Sequence, residues 1–364
     1  MHKNRIRIGF VGLKPDSQWA ARAHIPALKY LSDEFEITGV ANSSLQSSQA
    51  AAIALGIPHA FEDAYALIQS PEVDLIVVTV KVPFHRELVL AALSAGKHVF
   101  CEWPLGNGLT EAREMADLAG TKGLIGATST QMRVAPEVVY LKTLIAQGYI
   151  GKVLSTTLTG SGGGWGAATV ADQAYTFDKS KGATLLSIPL GHTLAGFVDV
   201  LGDIDSLSAR MLNLRKSVLV TDADETVPKT TEDQIMVHRA LKNGAAFSVH
   251  YRGGLSRGTN FLWEINGTEG DIQVTAPVGH PQLVPLSIHG ARGDEKALKP
   301  LHPSADGIAG WPENPMVRNI AHVYELIAKD IQSGTRTAPS FHDAVKLHET
   351  LERIERSAET AGRA

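Results

Sequence analysis

The chain has 364 residues, 44% of them hydrophobic and 20% charged, with a net charge of −4 and a single cysteine, Cys101. That length favours two domains over one core, and the mild negative charge excludes a basic field for nucleic acid or a polybasic patch for membranes. One cysteine excludes an internal disulfide framework or a cysteine-based metal site; with no apolar run near the roughly 20 residues that span a bilayer and no signal peptide before the first strand, a cytoplasmic protein is expected.

The first third alternates strands and helices. Residues 5–11 read as a strand of Ile and Val, followed by a loop and a helix over 19–31. A strand over 35–41, a helix over 47–55 and a helix over 64–69 follow. Residues 73–80 form a continuous apolar run, the pattern of a strand covered on both faces. A helix over 87–95 ends at Gly96, a strand covers 97–101, and a helix over 109–121 leads to a strand over 124–128. This alternation predicts an α/β Rossmann domain, a doubly wound parallel sheet, over residues 1–128.

From residue 129 the pattern changes to an α+β domain with a mostly antiparallel open sheet, expected over 129–364. An amphipathic helix ends at Gly148, and alternating strands are predicted over 153–158, 206–212, 234–241, 246–251, 261–266 and 271–275. Lys242-Asn243-Gly244 and Gly267-Thr268-Glu269-Gly270 are hairpin turn chemistries. The run from Gly160 to Gly166, which contains Trp165, reads as a flexible loop that lets backbone approach a neighbour closely. Helices over 313–332 and 341–358 close the chain. Those helices cover one face of the sheet; the other is expected to pair with a second subunit, as a homodimer or homotetramer.

Ligands of open parallel sheets bind beyond the carboxyl ends of the strands. Gly9 and Gly12 stand at the first such end, in "GFVGLKPDSQW", where Lys14-Pro15-Asp16-Ser17 lengthen the usual glycine turn. A pyrophosphate fits the N-terminus of the helix that begins at Trp19, with Ser17 as its cap. A branched side chain at Gly12 should weaken nucleotide binding and leave the ligand-free fold little changed. After the second strand come Asn42, Ser43 and Ser44 in place of the acidic residue that selects NAD, so either NAD or NADP is admitted. After the fourth strand come Val80, Lys81, Pro83 and His85, and the next ends in Glu102-Trp103-Pro104, since proline cannot continue a central ladder.

"TVKVPFHRELVLAALSAGKHVFCEWPLG" and the closing "PSFHDAVKLHETLERIERSA" resemble the glucose–fructose oxidoreductase/inositol dehydrogenase (Gfo/Idh/MocA) family. "GFVGL", "GSGGGWG", "SIPLGHT" and "INGTEGDI" are similar to a branch that includes the galactose-regulon repressor of yeasts. The resemblance implies a nucleotide-binding domain, a C-terminal open-sheet domain, and oxidation or reduction of sugars and polyols with NAD or NADP. It implies cofactor contacts from Gly9, Gly12, Leu13, Ser17, Trp19, Asn42, Ser43, Ser44, Val80, Lys81, Pro83, His85, Glu102 and Trp103. Substrate contacts fall to Trp103, Trp165, Ser187 and His192, with no metal.

Two departures stand out. Family dehydrogenases have Glu-Lys-Pro where this chain has Glu102-Trp103-Pro104, and an indole cannot titrate. The carboxylate expected a few residues before His192 is replaced by Ser187. Either chemistry has moved to Lys81, desolvated at a strand end, with His192 as base, or the protein binds the nucleotide and signals through a protein surface. In the second case Trp103 would be an apolar stacking platform. His24 reads as a core or cap residue, and Arg133, Tyr175 and Arg252 have no predictable direction.

Overall fold

The computed structural model describes residues 5–15, 19–305 and 308–361. The chain forms two compact units, one built up to Gln131 together with Pro312–His348, the other from Met132–Trp311 and from Glu349 onward.

The first unit runs β1 (Ile6–Val11), α1 (Trp19–Arg22), α2 (His24–Tyr30), β2 (Phe35–Ala41), α3 (Leu45–Leu55), β3 (His59–Phe61), α4 (Ala64–Gln69), β4 (Leu75–Val78), α5 (His85–Ser94), β5 (His98–Cys101), α6 (Leu109–Lys122) and β6 (Gly126–Thr128). Its six strands are all parallel, in the order β3-β2-β1-β4-β5-β6. This is the dinucleotide-binding order, with its reversal point between β1 and β4. Leu75 to Val78 are wholly buried, as a strand covered on both faces requires. The expected strand over 73–80 ends early, because the Thr79 hydroxyl turns to donate to the Gly12 carbonyl at 2.6 Å. The expected helix over 19–31 is divided at Ala23. Helix α3 starts before its predicted position, since Ser44 caps it by accepting from the Ser47 N–H.

The second unit runs α7 (Pro136–Ala146), β7 (Val153–Gly162), β8 (Ala168–Thr169), α8 (Gly191–Leu201), β9 (Ile204–Leu212), β10 (Ser217–Val220), β11 (Glu225–Pro228), β12 (Gln234–Leu241), β13 (Ala246–Gly253), β14 (Phe261–Gly267), β15 (Gly270–Ala276), β16 (Ser287–Arg292) and β17 (Lys299–Leu301). Eight strands pair as β17-β16-β15-β14-β7-β13-β12-β9, antiparallel except for β7 with β13. Both expected hairpins form. Phe197 of α8 packs its ring on Phe247 and Trp263, so α8 covers one sheet face. The opposite face carries Thr157, Ser248, Glu264 and Gln273 in register across four strands. Among the described residues this polar face is the one expected to pair with a second subunit. Strands β8, β10 and β11 form a separate small sheet.

The glycine run is not simply a loop. Gly160 and Gly162 lie within β7, and a Cβ on them would run into the Tyr251 ring and Leu185. The backbone comes close to the protein's own side chains.

Helix α9 (Pro315–Ser333) belongs to the first unit, not to the C-terminal domain expected over 129–364. Val317, Ile320, Ala321, Tyr324, Ile327 and Ala328 form one buried stripe at helical spacing. The Tyr324 ring meets Phe35 and Phe100 at centroid distances of 5.3 and 5.0 Å. After α9 the chain pairs with β6, the Thr128 N–H donating to the Pro339 carbonyl at 2.8 Å. Helix α10 (Phe341–Ala361) follows.

Candidate functional site

At the reversal point, Gly12 has φ +92°, and a Cβ there would sit 2.6 Å from Cγ1 of Val80. Only glycine meets both conditions, so a branched residue would strain the ligand-free protein, contrary to expectation. Gly9 lies inside β1, where a Cβ would press on Leu67 and Val73 at 3.0 to 3.1 Å. Its role is to let α4 close on the sheet, which corrects its assignment to the cofactor.

Asn42 is also committed to the protein. Its Oδ1 accepts from the Leu13 N–H at 2.7 Å, and its Nδ2 donates to the Leu13 and Ser47 carbonyls at 2.9 and 3.2 Å. The side chain clamps the turn after β1 to the end of β2, and does not offer its amide to a ribose as expected. Ser43 and Ser44 are exposed beside it, while Ser17 lies outside the described residues.

Lys81 is half-buried at the start of a short 3₁₀ turn, Val82–Phe84, that contains the exposed Pro83. His85, expected at the cofactor, is buried with its ring nitrogens each 2.9 Å from a carbonyl, those of Val80 and Pro104. Burial outweighs these two acceptors and holds its pKa below the ordinary histidine value. His85 therefore braces the end of β4 against the turn after β5.

The ends of β5 and β6 carry a buried network. The Trp103 N–H donates to Oγ of Ser129 at 2.8 Å, and that hydroxyl donates to Glu102 Oε2 at 2.9 Å. Glu102 Oε1 lies 2.7 Å from His24 Nε2, and His24 Nδ1 lies 2.8 Å from the Tyr324 hydroxyl. Burial works to raise the Glu102 pKa, but the His24 ring, with help from Ser129 and Trp19, brings it below the ordinary carboxylate value. Burial, then the Glu102 charge, raises the Tyr324 pKa far above the usual range. The Glu102 carboxylate accepts from His24 Nε2, and His24 Nδ1 faces the Tyr324 hydroxyl. His24 is the core residue the sequence suggested; its coupling to Tyr324 had no local signal.

Trp103 is only 4% exposed, and its ring lies 4.8 Å from that of His348 in α10. It is packing within the first unit, which corrects its expected role as a stacking platform for cofactor or substrate.

In the second unit, Trp165 donates its indole N–H to the Ala183 carbonyl at 3.2 Å and stacks on His280 at 5.6 Å. A cavity of about 380 Å³ beside it is lined by Thr169, Val170, Gln173, Thr176 and Thr221. The Ser187 hydroxyl donates to the Gly182 carbonyl at 2.6 Å and accepts from the Thr184 N–H at 2.8 Å. Serine here holds the turn into a π-helical segment, Leu186–Leu190, that delivers the buried His192 to the first turn of α8. Arg133 reaches Asp199 at 3.4 Å, and Arg252 donates to the Thr259 carbonyl at 2.7 Å. Tyr175 lies in another 3₁₀ segment, its pKa raised by burial. Sequence reasoning missed Tyr251, whose hydroxyl joins Thr193 at 2.6 Å and donates to the Gly279 carbonyl at 2.8 Å.

Comparison with known proteins matches residues 6–129 to an oxidoreductase family with an NAD-binding Rossmann fold, and residues 136–276 to the C-terminal domain of Gal80p. Dehydrogenase aclE of Aspergillus oryzae is 31% identical, over 75% of this chain and 77% of its own. The chain belongs to the Gfo/Idh/MocA family. The galactose/lactose metabolism regulatory protein GAL80 of Saccharomyces cerevisiae is 28% identical over 97% of this chain and 92% of its own. A crystal structure of a super-repressor mutant of that yeast's Gal80p superposes with a TM-score of 0.89 at 26% identity, covering 98% of this chain and 96% of the other. Levoglucosan dehydrogenase of Pseudarthrobacter phenanthrenivorans is 25% identical over 85% of this chain and 84% of its own.

The first unit of this family member fits a dinucleotide. The strand order reverses beside Gly12, where the missing side chain lets the end of β1 close on Val80 at the end of β4. Leu13, Trp19, Ser43, Val80 and Lys81 surround or follow the same carboxyl edge.

Proposed function

We propose that the protein is an NAD(P)-dependent oxidoreductase acting on a CH–OH group of a sugar, polyol or related hydroxylated small molecule in the cytoplasm. The observation that carries this reading is the intact reversal point of the first unit, in a chain of an oxidoreductase family. Levoglucosan dehydrogenase among its relatives supports the sugar class. Bound NAD(P) would supply the chemistry of hydride exchange with the carbinol carbon. The turn that follows Gly12 and Leu13 would lie against the pyrophosphate region, and Glu102 would stay ionised within its network. In the first unit Lys81 is the residue best suited to hold a substrate hydroxyl and favour loss of its proton; in the second, taken by itself, the candidate proton acceptor is His192. Among the described residues no helix is long and apolar enough to cross a membrane.

A second reading, a catalytically silent nucleotide-binding regulator acting through protein contact, is favoured by one pair of facts. Trp103 and Ser187, at positions where the family places chemistry, serve packing and a turn. Similarity to the yeast regulatory protein over 97% of the chain agrees with it.

Fluorescence titration with NADH and NADPH, followed by a sugar and polyol panel read at the nicotinamide absorbance, separates the two. Turnover of any panel member supports the enzyme; tight binding without turnover across the panel gives the regulator. A homodimer or homotetramer is compatible with both, and light scattering at the monomer mass of 38.9 kDa would exclude it.

A further inference from the structure

We infer that Tyr251, acting through Thr193, is a positioning residue of the second unit: it sets the first turn of α8 and so the placement of His192. The inference rests on the oxidoreductase reading above, in which His192 takes up the substrate proton, and deepens it.

The chain enters α8 by an irregular route. Over Leu186–Leu190 the helix is widened to a π form, and Pro189 inside it has no N–H to give to the ladder. The Leu190 N–H reaches back to the Leu185 carbonyl at 3.2 Å. Among the described residues no side chain caps the start of α8. Further along, Phe197 anchors the helix on Phe247 and Trp263, but that ring lies more than a turn beyond His192. A separate contact has to fix the turn that carries His192. Short π segments are frequent at functional sites.

Thr193 and Tyr251 supply that contact. Their hydroxyl oxygens lie 2.6 Å apart. Each also has a backbone carbonyl in reach, Pro189 at 2.9 Å from Thr193 and Gly279 at 2.8 Å from Tyr251. Two hydroxyls therefore tie the π segment, the first turn of α8 and the chain after β15 into one joint. Both residues are fully buried, and burial raises the Tyr251 pKa well above the ordinary phenol value, so the joint keeps its protons. The sheet makes room for it: Tyr251 lies across from Gly160 of β7, where a Cβ would run into the ring. His192 directly precedes Thr193, so a shift of this joint moves the backbone of His192 with it. The joint also holds Gly279, and the next residue, His280, stacks on Trp165.

The test compares the full chain with Tyr251→Phe, Thr193→Val and the double variant, each shown to be folded by circular dichroism. On a panel member that the wild type turns over, each single variant should lower kcat about tenfold or more, with KM and NADH affinity within about threefold. The double variant should lose no more than either single one, because all three break the same joint. Thr193→Ser keeps the hydroxyl and should hold kcat within about threefold of the wild type. The imidazole resonances of His192 in the ligand-free protein, assigned with His192→Asn, should move in Tyr251→Phe, while those of His348 in the first unit stay in place. Unmoved His192 resonances, kcat within about threefold in both single variants, or losses that add in the double variant would overturn the inference and leave the oxidoreductase reading standing. A wild type that turns over no panel member would overturn that reading, and this inference with it.

Discussion

At the ends of β1 and β4 the carboxyl edge of the first unit is lined by backbone; at the ends of β5 and β6 it is filled by side chains. The first region is shaped by Gly12, by a Leu13 peptide held by Asn42, and by a Val80 carbonyl held by His85. The second is occupied by Glu102, Ser129, His24 and Tyr324 in one buried network, with Trp103 packed on His348. One edge thus has a half shaped by backbone and, one strand away, a half filled by packed side chains. Any surviving chemistry has to come from the open half or from the second unit.

The largest effect should come from removing the cation of the open half. Lys81→Met is expected to lower kcat by about 10²- to 10⁴-fold while nucleotide affinity stays within about threefold. His192→Asn in the second unit should do the same. Full turnover in both variants would remove them from the mechanism and break the contrast drawn here.

The filled half is probed by Trp103→Lys, which restores the residue type usual in the family. With Trp103 only 4% exposed against His348, the change should cost about 3 kcal/mol of folding stability and gain no turnover. Trp103→Phe should retain most of the stability. Denaturant unfolding decides, and an unshifted Trp103→Lys midpoint would mean that this half is open after all.

Gly12→Val tests the backbone-lined half. A positive φ of +92° and the clash with Val80 should lower stability by about 1–3 kcal/mol. Nucleotide affinity should fall at least about tenfold as well. Loss of stability with undiminished affinity would separate the turn from the ligand.

The smallest effect is a slope. Burial pushes His348 down to about 4, below its unfolded value near 6.5. Between those values the unfolded chain binds the extra proton. The stability that goes with a neutral ring is therefore complete above about pH 6.5, and is lost as pH falls towards 4. His348→Phe keeps a ring against Trp103 and should flatten the dependence of unfolding free energy on pH in that window by about one proton. An unchanged slope would show that His348 titrates normally.

Much of this could be read along the chain, because the deciding patterns are local. The apolar run before Lys81 and the alternating strands on either side of Asn243 need only their neighbours. Trp103 did not yield in the same way: its partner, His348, lies on the last helix, and no local rule tells an indole whether it faces a ligand or a ring. Asn42 misled for a related reason, since a neutral amide at a ribose position looks available until the peptide at Leu13 is seen to consume it. The strands β10, β16 and β17 escaped because runs of three to six residues are too short to carry a long alternating pattern. Helix α9 was legible as a helix, but its stripe does not say which sheet it covers.

That placement of α9 has a consequence for how the protein is made. A nascent chain that has emerged only as far as residue 311 already holds all six strands of the first unit, but not the Tyr324 ring that seals His24, Phe35 and Phe100. Synthesis of the intervening second-unit residues takes roughly 10 to 40 s at 5–20 residues per second. For that interval the early unit presents an apolar surface to the translating ribosome's surroundings. A stand-alone version of it would need residues 312–348 grafted after Gln131.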